Sequence, residues 1–548
     1  MGVAGLYSYI IKRFGKSLSQ TDLNINKIDW LFIDGNGFIH NASSIINKIE
    51  NLEYKTADDF YLLICKKTKE LIDEVINKIK PKNVYLAFDG IAPLAKINQQ
   101  RSRRYRTLIE HEFIEKCKKK YNMKNNYSDI WSSVLITPGT DFMNTLNNYF
   151  KSLPKEKLNY NFYYNGSDII GEGEHKILNY IRNNQEISNQ NIVLHGLDGD
   201  LIFLTMLIKN NNIYIYRQQK SEELSIESFL NITELKNKVL DFVFNIVKKE
   251  NINFEKSDNI IIDFIFICFL VGNDFLPSQR FINIHERGID ELLECYIKCL
   301  SSNGFIVNID QNNKITFNTI GFLKFIQLCS LIEYKNYNIS KQYEDMNLNK
   351  KKKYFTCKYR NMDDGLDKDI FGFENLLCDT NEKKEYNCKY LSLNSDFDNY
   401  KFEYYVHFLN SINNQKTVVI KLCNDYITTL IWNIKYYLAG DYSWRWFYKY
   451  PVCPFLSDLL KYVNTNNIIL NNYKFLSDTS VSNNQQLLLC IPKKYLRQYL
   501  PNIYNLINKE NGYMFPEKFY IDTTDQLFIY KSIVKIPNIN IKLIDKIQ

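Results

Sequence analysis

The sequence predicts an α/β fold: a mainly parallel sheet flanked by helices, with a second, aromatic-rich region packed on it. Three observations lead there. Short apolar runs alternate with amphipathic stretches from residue 1 to about 345, the signature of strands joined by crossover helices. Acids recur just beyond the ends of those runs, where open α/β sheets gather their ligands. From about residue 390 the chain turns aromatic around one long apolar-periodic stretch, which reads as helix.

The expected strands, in order, are Trp30–Ile33, Val84–Phe88, Phe162–Tyr164, Asn191–His195 and Ile213–Tyr216, each a short apolar run. Helical spacing marks Ala57–Ile79 and His175–Asn184 between them, and Asn259–Leu270 after them. The run EDMNLNKKKK, followed by GLDKD and NEKKEYN, reads as a charged surface linker or insertion with some helix, at 346–389. The division expected is therefore 1–345, a linker at 346–389, and 390–548, where Val418–Leu438 forms a long helix.

The chain has 548 residues, 45% of them hydrophobic, enough for a sizeable core, and its net charge of +8 weakly favours a polyanionic partner. Its 12 cysteines include no CxxC pair and no His at zinc-finger spacing, which argues against a zinc site or a disulfide framework. No secretory signal pattern opens the sequence. The segment Ile260–Leu270 is too short to span a bilayer and carries Asp263. The expectation is a soluble intracellular protein without membrane contact.

Seven acids carry the chemistry: Asp34 in LFIDGN, Asp89 in VYLAFDG, Glu172 and Glu174 in GEGEHK, Asp198 and Asp200 in HGLDGD, and Asp274 in VGNDFLP. Like charges a few ångströms apart repel and raise each other's pKa, so a shared site needs cations. Hard divalent ions, two Mg²⁺, are the simplest answer, and such sites work on phosphodiesters. Any one of these acids could instead cap a helix or complement its dipole. Asp263 ranks below the seven, as a supporting acid or a charge near a helix start.

Seven residues past Asp89, a helix is expected to carry Lys96, Gln100, Arg103 and Arg104 on one face. Their ammonium, amide and guanidinium groups suit a phosphate; the alternative is a solvated basic surface. His40 is either a structural histidine or one that stacks on a base or donates to phosphate. Trp444 and Trp446 in GDYSWRWFYKYP fit a base-stacking platform and a half-buried strand equally well.

These residues fall in segments that resemble the Xrn family of 5′→3′ exoribonucleases: MGVAGLYSYI, FIDGNGFIHNA, YLAFDGIAPLAKINQQRSRRYR, ITPGTDFM, GEGEHKI, HGLDGDLIFL and FLVGNDFLP. Later, DYITTLIWNIKYYLAGDYSWRWFYKYPVCPFLSDL, NNQQLLLCIP and YMFPEKFYID follow the family pattern. The resemblance implies a nuclease core of the PIN or flap-endonuclease type in 1–345, with the second region completing a substrate channel. It implies a minimal catalytic core, without the zinc knuckle of the nuclear branch or the large C-terminal domains of the cytoplasmic branch.

By the same resemblance, Asp34, Asp89, Glu172, Glu174, Asp198, Asp200 and Asp274 are the catalytic metal ligands. Lys96, Gln100, Arg103 and Arg104 form a 5′-monophosphate pocket, and His40 stacks on a base opposite a tryptophan, Trp444 being favoured over Trp446. The expected activity is processive hydrolysis of single-stranded RNA to 5′-mononucleotides in RNA turnover, by a monomer using two Mg²⁺, with Mn²⁺ as substitute. Cytoplasmic residence is expected, with the nucleus left open. The competing readings are a structure-specific flap endonuclease and an inactive RNA-binding or scaffold protein.

Overall fold

The computed structural model describes all residues except 1, 4, 24–26, 50–53, 124–129, 155, 157, 211, 221–224, 250–256, 311–313, 377–390, 392, 394, 527 and 548, and the side chains of 219, 220, 225, 226, 249 and 343–352. Seven strands form the main sheet: β1 (Ser19–Gln20), β2 (Trp30–Asp34), β3 (Asn83–Ala87), β4 (Asn161–Asn165), β5 (Ile192–His195), β6 (Ile213–Lys220) and β7 (Ser225–Asn231). Their order is β1-β7-β6-β5-β2-β3-β4. The five strands from β6 to β4 run parallel. Such strands are covered on both faces, which explains why β2 and β3 are near-continuous apolar runs.

At the other edge, β7 pairs antiparallel with β6, and β1 with β7. These two strands were not among those expected. β1 has only two residues, and the charged KSEEL run at 220–224 interrupts the apolar pattern.

Register places the site. Asp34 pairs with Ala87, and Ile33 pairs with His195, so the ends of β2, β3 and β5 stand level. From β2 the chain moves to β3 and β4 on one side, then crosses to β5 and β6 on the other. The crevice at that reversal is where open α/β sheets bind. Asp34, Asp89 and Asp198 therefore share one edge.

Helices α1 (Leu6–Phe14), α2 (Asn36–Asn47), α3 (Ala57–Ile79), α4 (Leu94–Lys120), α5 (Asp141–Lys151), α6 (Gly173–Asn183) and α7 (Asp200–Met206) accompany the sheet. Then come α8 (Ile232–Lys249), α9 (Asn259–Cys268), α10 (Gly288–Asn303), α11 (Thr319–Arg360), α12 (Leu366–Glu374), α13 (Phe397–Leu409) and α14 (Gln415–Tyr437). Helices α15 (Leu456–Thr465) and α16 (Asn483–Cys490) follow. Helix α11 runs 42 residues straight across position 345 and into the stretch read as linker; residues 377–389 of that stretch lie outside the described residues. Among the described residues no helix is long and apolar enough to cross a membrane.

The two regions share one core. Buried Ile177, Leu178 and Leu204 beside the sheet belong to the same apolar cluster as Trp432, Tyr436 and Tyr437 of α14. Asp263 is structural: it accepts from Tyr296 Oη at 2.9 Å and from the amides of Ile306 and Val307 at 2.9 and 2.8 Å.

Helix α4 is the strut between the regions. Its arginines divide by partner. Arg101 is buried and gives its guanidinium to the carbonyls of Pro537, at 2.7 Å, and Met514. Arg106 serves those of Tyr530 and Ser532 at 2.5 and 2.8 Å. Hydrogen bonds from a charged donor are worth about 1.5–3 kcal/mol each, and the stranded carbonyls would pay desolvation. Arg101→Met should therefore lower stability by about 3 kcal/mol, seen as an earlier urea midpoint. Arg101→Lys should not restore it, because one ammonium cannot reproduce the planar fork.

Candidate active site

Glu172 occupies the N-cap position of α6 yet makes no capping hydrogen bond. Its carboxylate is committed elsewhere. Lys96 Nζ lies 2.7 Å from Glu172 Oε2 and 2.9 Å from Asp274 Oδ2. Tyr436 Oη, from α14, donates to Glu172 Oε1 at 2.6 Å. Glu172, Glu174 and Asp200 are all buried, so a role as exposed helix-dipole acids does not describe them.

Asp89 is gripped on both sides. Asn36 donates from Nδ2 to its Oδ2 at 2.8 Å and accepts from its amide at 3.0 Å. The Gly173 amide donates to Asp89 Oδ1 at 2.7 Å. A Cβ at Gly173 would lie 2.7 Å from Asp34 Oδ1 and 3.4 Å from Asp89 Oδ1. Glycine there lets α6 start against two acids. Gly2, at φ 45°, packs in the same way on Asp200. Asp198 stands at the exposed rim, and its charge acts on Asp34 and Glu174.

The basic helix splits its duties. Gln100, Arg103 and Arg104 line a cavity of 280 Å³ together with His40 and Asp89. Lys96 does not line it; its ammonium sits among the acids, one helical turn earlier. Arg104 donates to Thr137 Oγ1 at 2.7 Å, while its buried Nη1 has no partner. The second region closes the wall: Cys490 Sγ donates to Gln100 Oε1 at 3.4 Å, and Tyr495 Oη lies 2.9 Å from His111 Nδ1. Crowding of the His40 imidazole, then the charges of Arg103 and Arg104, push its pKa down to about 4.

The two tryptophans diverge. The Leu94 amide, at the start of α4, donates to the Trp444 carbonyl at 2.7 Å, and the Trp444 ring lies 5.6 Å from Tyr442. Trp446 instead donates its indole N–H to Thr429 Oγ1 at 3.0 Å and packs against the core. Asn36, His111, Tyr436 and Tyr495 escaped the sequence reading. Only Asn36, in IDGNG two residues past Asp34, sits near a motif that could have flagged it.

Burial and mutual repulsion raise several acids. Asp34 stands well above its ordinary value through burial, then Asp89 and Asp198. Glu174 does so through burial and Asp200. Burial and Asp274 push Asp200 up to about 7. Burial opposes ionisation of Asp274, but the charge and hydrogen bond of Lys96 lead the effects that together outweigh it and hold that carboxyl below its usual value. Oxygen-only donors suit hard divalent cations. Asp34 Oδ1 and Asp200 Oδ1 are buried without a hydrogen-bond partner, two acceptors that a cation would satisfy. Among the described residues no three such side chains form a finished cage; Lys96 stands between Glu172 and Asp274.

Acids with raised pKa favour folding most below their unfolded value, near about 4. That stability is lost as pH rises through the folded values, about 7 for Asp200. Asp274 acts in the opposite sense, losing stability as pH falls through its depressed value. In EDTA the melting temperature should therefore fall between pH 5 and 8. Added Mg²⁺ should restore it, more at pH 8 than at pH 5, as read by differential scanning fluorimetry.

Comparison with known proteins places this arrangement. The family model described as XRN 5′-3′ exonuclease N-terminus matches residues 1–219. That described as Xrn1 helical domain matches 253–394 and 373–547. Human 5′-3′ exoribonuclease 1 is 28% identical over 99% of this chain and 34% of its own length. The Saccharomyces cerevisiae protein of the same name is 25% identical over 84% of this chain and 37% of its own. The Drosophila melanogaster 5′-3′ exoribonuclease 2 homolog is 24% identical over 95% and 65%. The chain thus spans about a third of the length of the first two relatives. With the two models matching in succession along nearly the whole chain, the protein belongs to the XRN 5′-3′ exonuclease family.

Proposed function

We propose that the chain is a processive 5′→3′ exoribonuclease that hydrolyses 5′-monophosphorylated single-stranded RNA to 5′-mononucleotides, serving RNA turnover. The observation that carries this reading is the adjacency of an acid cluster and a guanidinium-lined cavity, joined through Asp89, which belongs to both. The relatives' names support the same activity.

Arg103 and Arg104 receive the terminal phosphate, the unpartnered Arg104 Nη1 supplying a donor already in place. The two guanidiniums match the charge and oxygen geometry of one phosphate. His40, at the cavity, stacks on the first base, and Trp444, whose carbonyl meets the start of the same basic helix, offers a second platform. Glu172, Glu174, Asp34, Asp89, Asp198, Asp200 and Asp274 would hold two divalent cations, Mg²⁺ or Mn²⁺. When bound, these ions supply an activated water and stabilise the leaving 3′ oxygen. Lys96 keeps Glu172 and Asp274 in place from the same helix that carries the pocket residues. Release of the mononucleotide leaves a new 5′ phosphate that can refill the pocket, which is the physical basis of processivity.

The test uses end-labelled RNA bearing a 5′ phosphate, a 5′ hydroxyl or a cap, with Mg²⁺ or EDTA. Mononucleotides should appear only from the phosphorylated end and only with metal. Internal cuts that ignore the 5′ end would indicate a flap-type endonuclease instead. Asp200→Ala should abolish cleavage and retain RNA binding by fluorescence anisotropy. Arg104→Met should lower kcat/KM on 5′-phosphorylated RNA by roughly 10–100-fold, about 1.4–2.8 kcal/mol of lost transition-state binding, and leave affinity for 5′-hydroxyl RNA unchanged.

A further inference from the structure

Tyr436 comes from α14, some 260 residues after the acid it touches, and it is wholly buried. Its ring lies between two others: stacked on His175 at 3.9 Å and 27°, and on Trp432 at 4.9 Å and 21°. The stack fixes the ring plane and so fixes where the hydroxyl points. That hydroxyl donates to Glu172 Oε1 at 2.6 Å, while Lys96 holds Oε2 at 2.7 Å. Each oxygen of Glu172 thus has one donor, and each keeps a further lone pair for a cation.

We propose that Tyr436 is a positioning residue: its hydroxyl sets the orientation of the Glu172 carboxylate for divalent-cation binding, making the metal site a joint product of both regions of the chain. This rests on the metal reading given above for the acids. Ligating carboxylates are commonly oriented by a hydrogen bond of this kind, and its loss typically costs about 10–100-fold in metal affinity or activity. The ring contacts extend further. Tyr442 meets Tyr436 edge-on at 4.9 Å, and Trp444 meets Tyr442 at 5.6 Å. The loop bearing the candidate base platform is therefore in contact with the group that orients the acid.

Tyr436→Phe keeps the ring between His175 and Trp432 and removes only the hydroxyl, so the fold should survive, with near-UV circular dichroism unchanged. On the full chain, Mn²⁺ alone is titrated by calorimetry into the wild type, Tyr436→Phe, Glu172→Gln and the double variant. Tyr436→Phe should weaken Mn²⁺ about 10-fold and lower kcat by a similar factor, leaving KM for 5′-phosphorylated RNA unchanged. In the Glu172→Gln background the tyrosine change should add nothing, because the carboxylate it orients is gone. Wild-type Mn²⁺ affinity in Tyr436→Phe overturns the proposal, as does a double variant that loses both factors multiplied. A wild-type chain that binds no Mn²⁺ overturns the metal reading itself, and the two failures are thereby told apart.

Discussion

The Lys96 ammonium between Glu172 and Asp274 is the contact on which the site depends. Burying carboxylates costs several kcal/mol each unless opposite charge and hydrogen bonds compensate. Glu172, Glu174 and Asp200 are buried close together; among the described residues, Lys96 and the Tyr436 hydroxyl hold Glu172, and the Gly173 amide holds the neighbouring Asp89. Compensation is partial: burial leaves Asp34, Glu174, Asp200 and even Glu172 resisting ionisation, while Asp274 does not.

Lys96 can do this only because α4 is rigidly placed. Arg101 and Arg106 tie it to backbone carbonyls of the last 40 residues, while Gln100, Arg103 and Arg104 line the cavity. One helix therefore sets the distance between the acids and the guanidinium-lined cavity. The basic run looked uniform in sequence. Burial sorts it into struts, a counter-charge and a binding face.

Much of this was legible in one dimension. β2 and β3 are apolar because both faces are covered, and their ends announce Asp34 and Asp89. The glycines of GEGEHK marked a tight start to α6, where Gly173 meets two acids. What escaped was whatever depended on distant pairing. Tyr436 is one tyrosine among 40, inside a helix whose periodicity shows only that it is buried. The contact of Lys96 with the acids rather than the cavity is a choice between two anionic destinations within reach of one side chain. The antiparallel edge was hidden because β1 is two residues long and is held mainly by its neighbour β7.

The shared core also governs the order in which the protein becomes complete. During synthesis the last acid, Asp274, leaves the ribosome well before Tyr436, Trp444 and Cys490. At a ribosomal pace of about 5–20 residues per second the gap to Cys490 is about 10 to 40 s. Through that interval the nascent chain carries its carboxylates without the ring stack that orients Glu172 or the wall that closes the cavity. The site is therefore complete only once synthesis has passed Cys490.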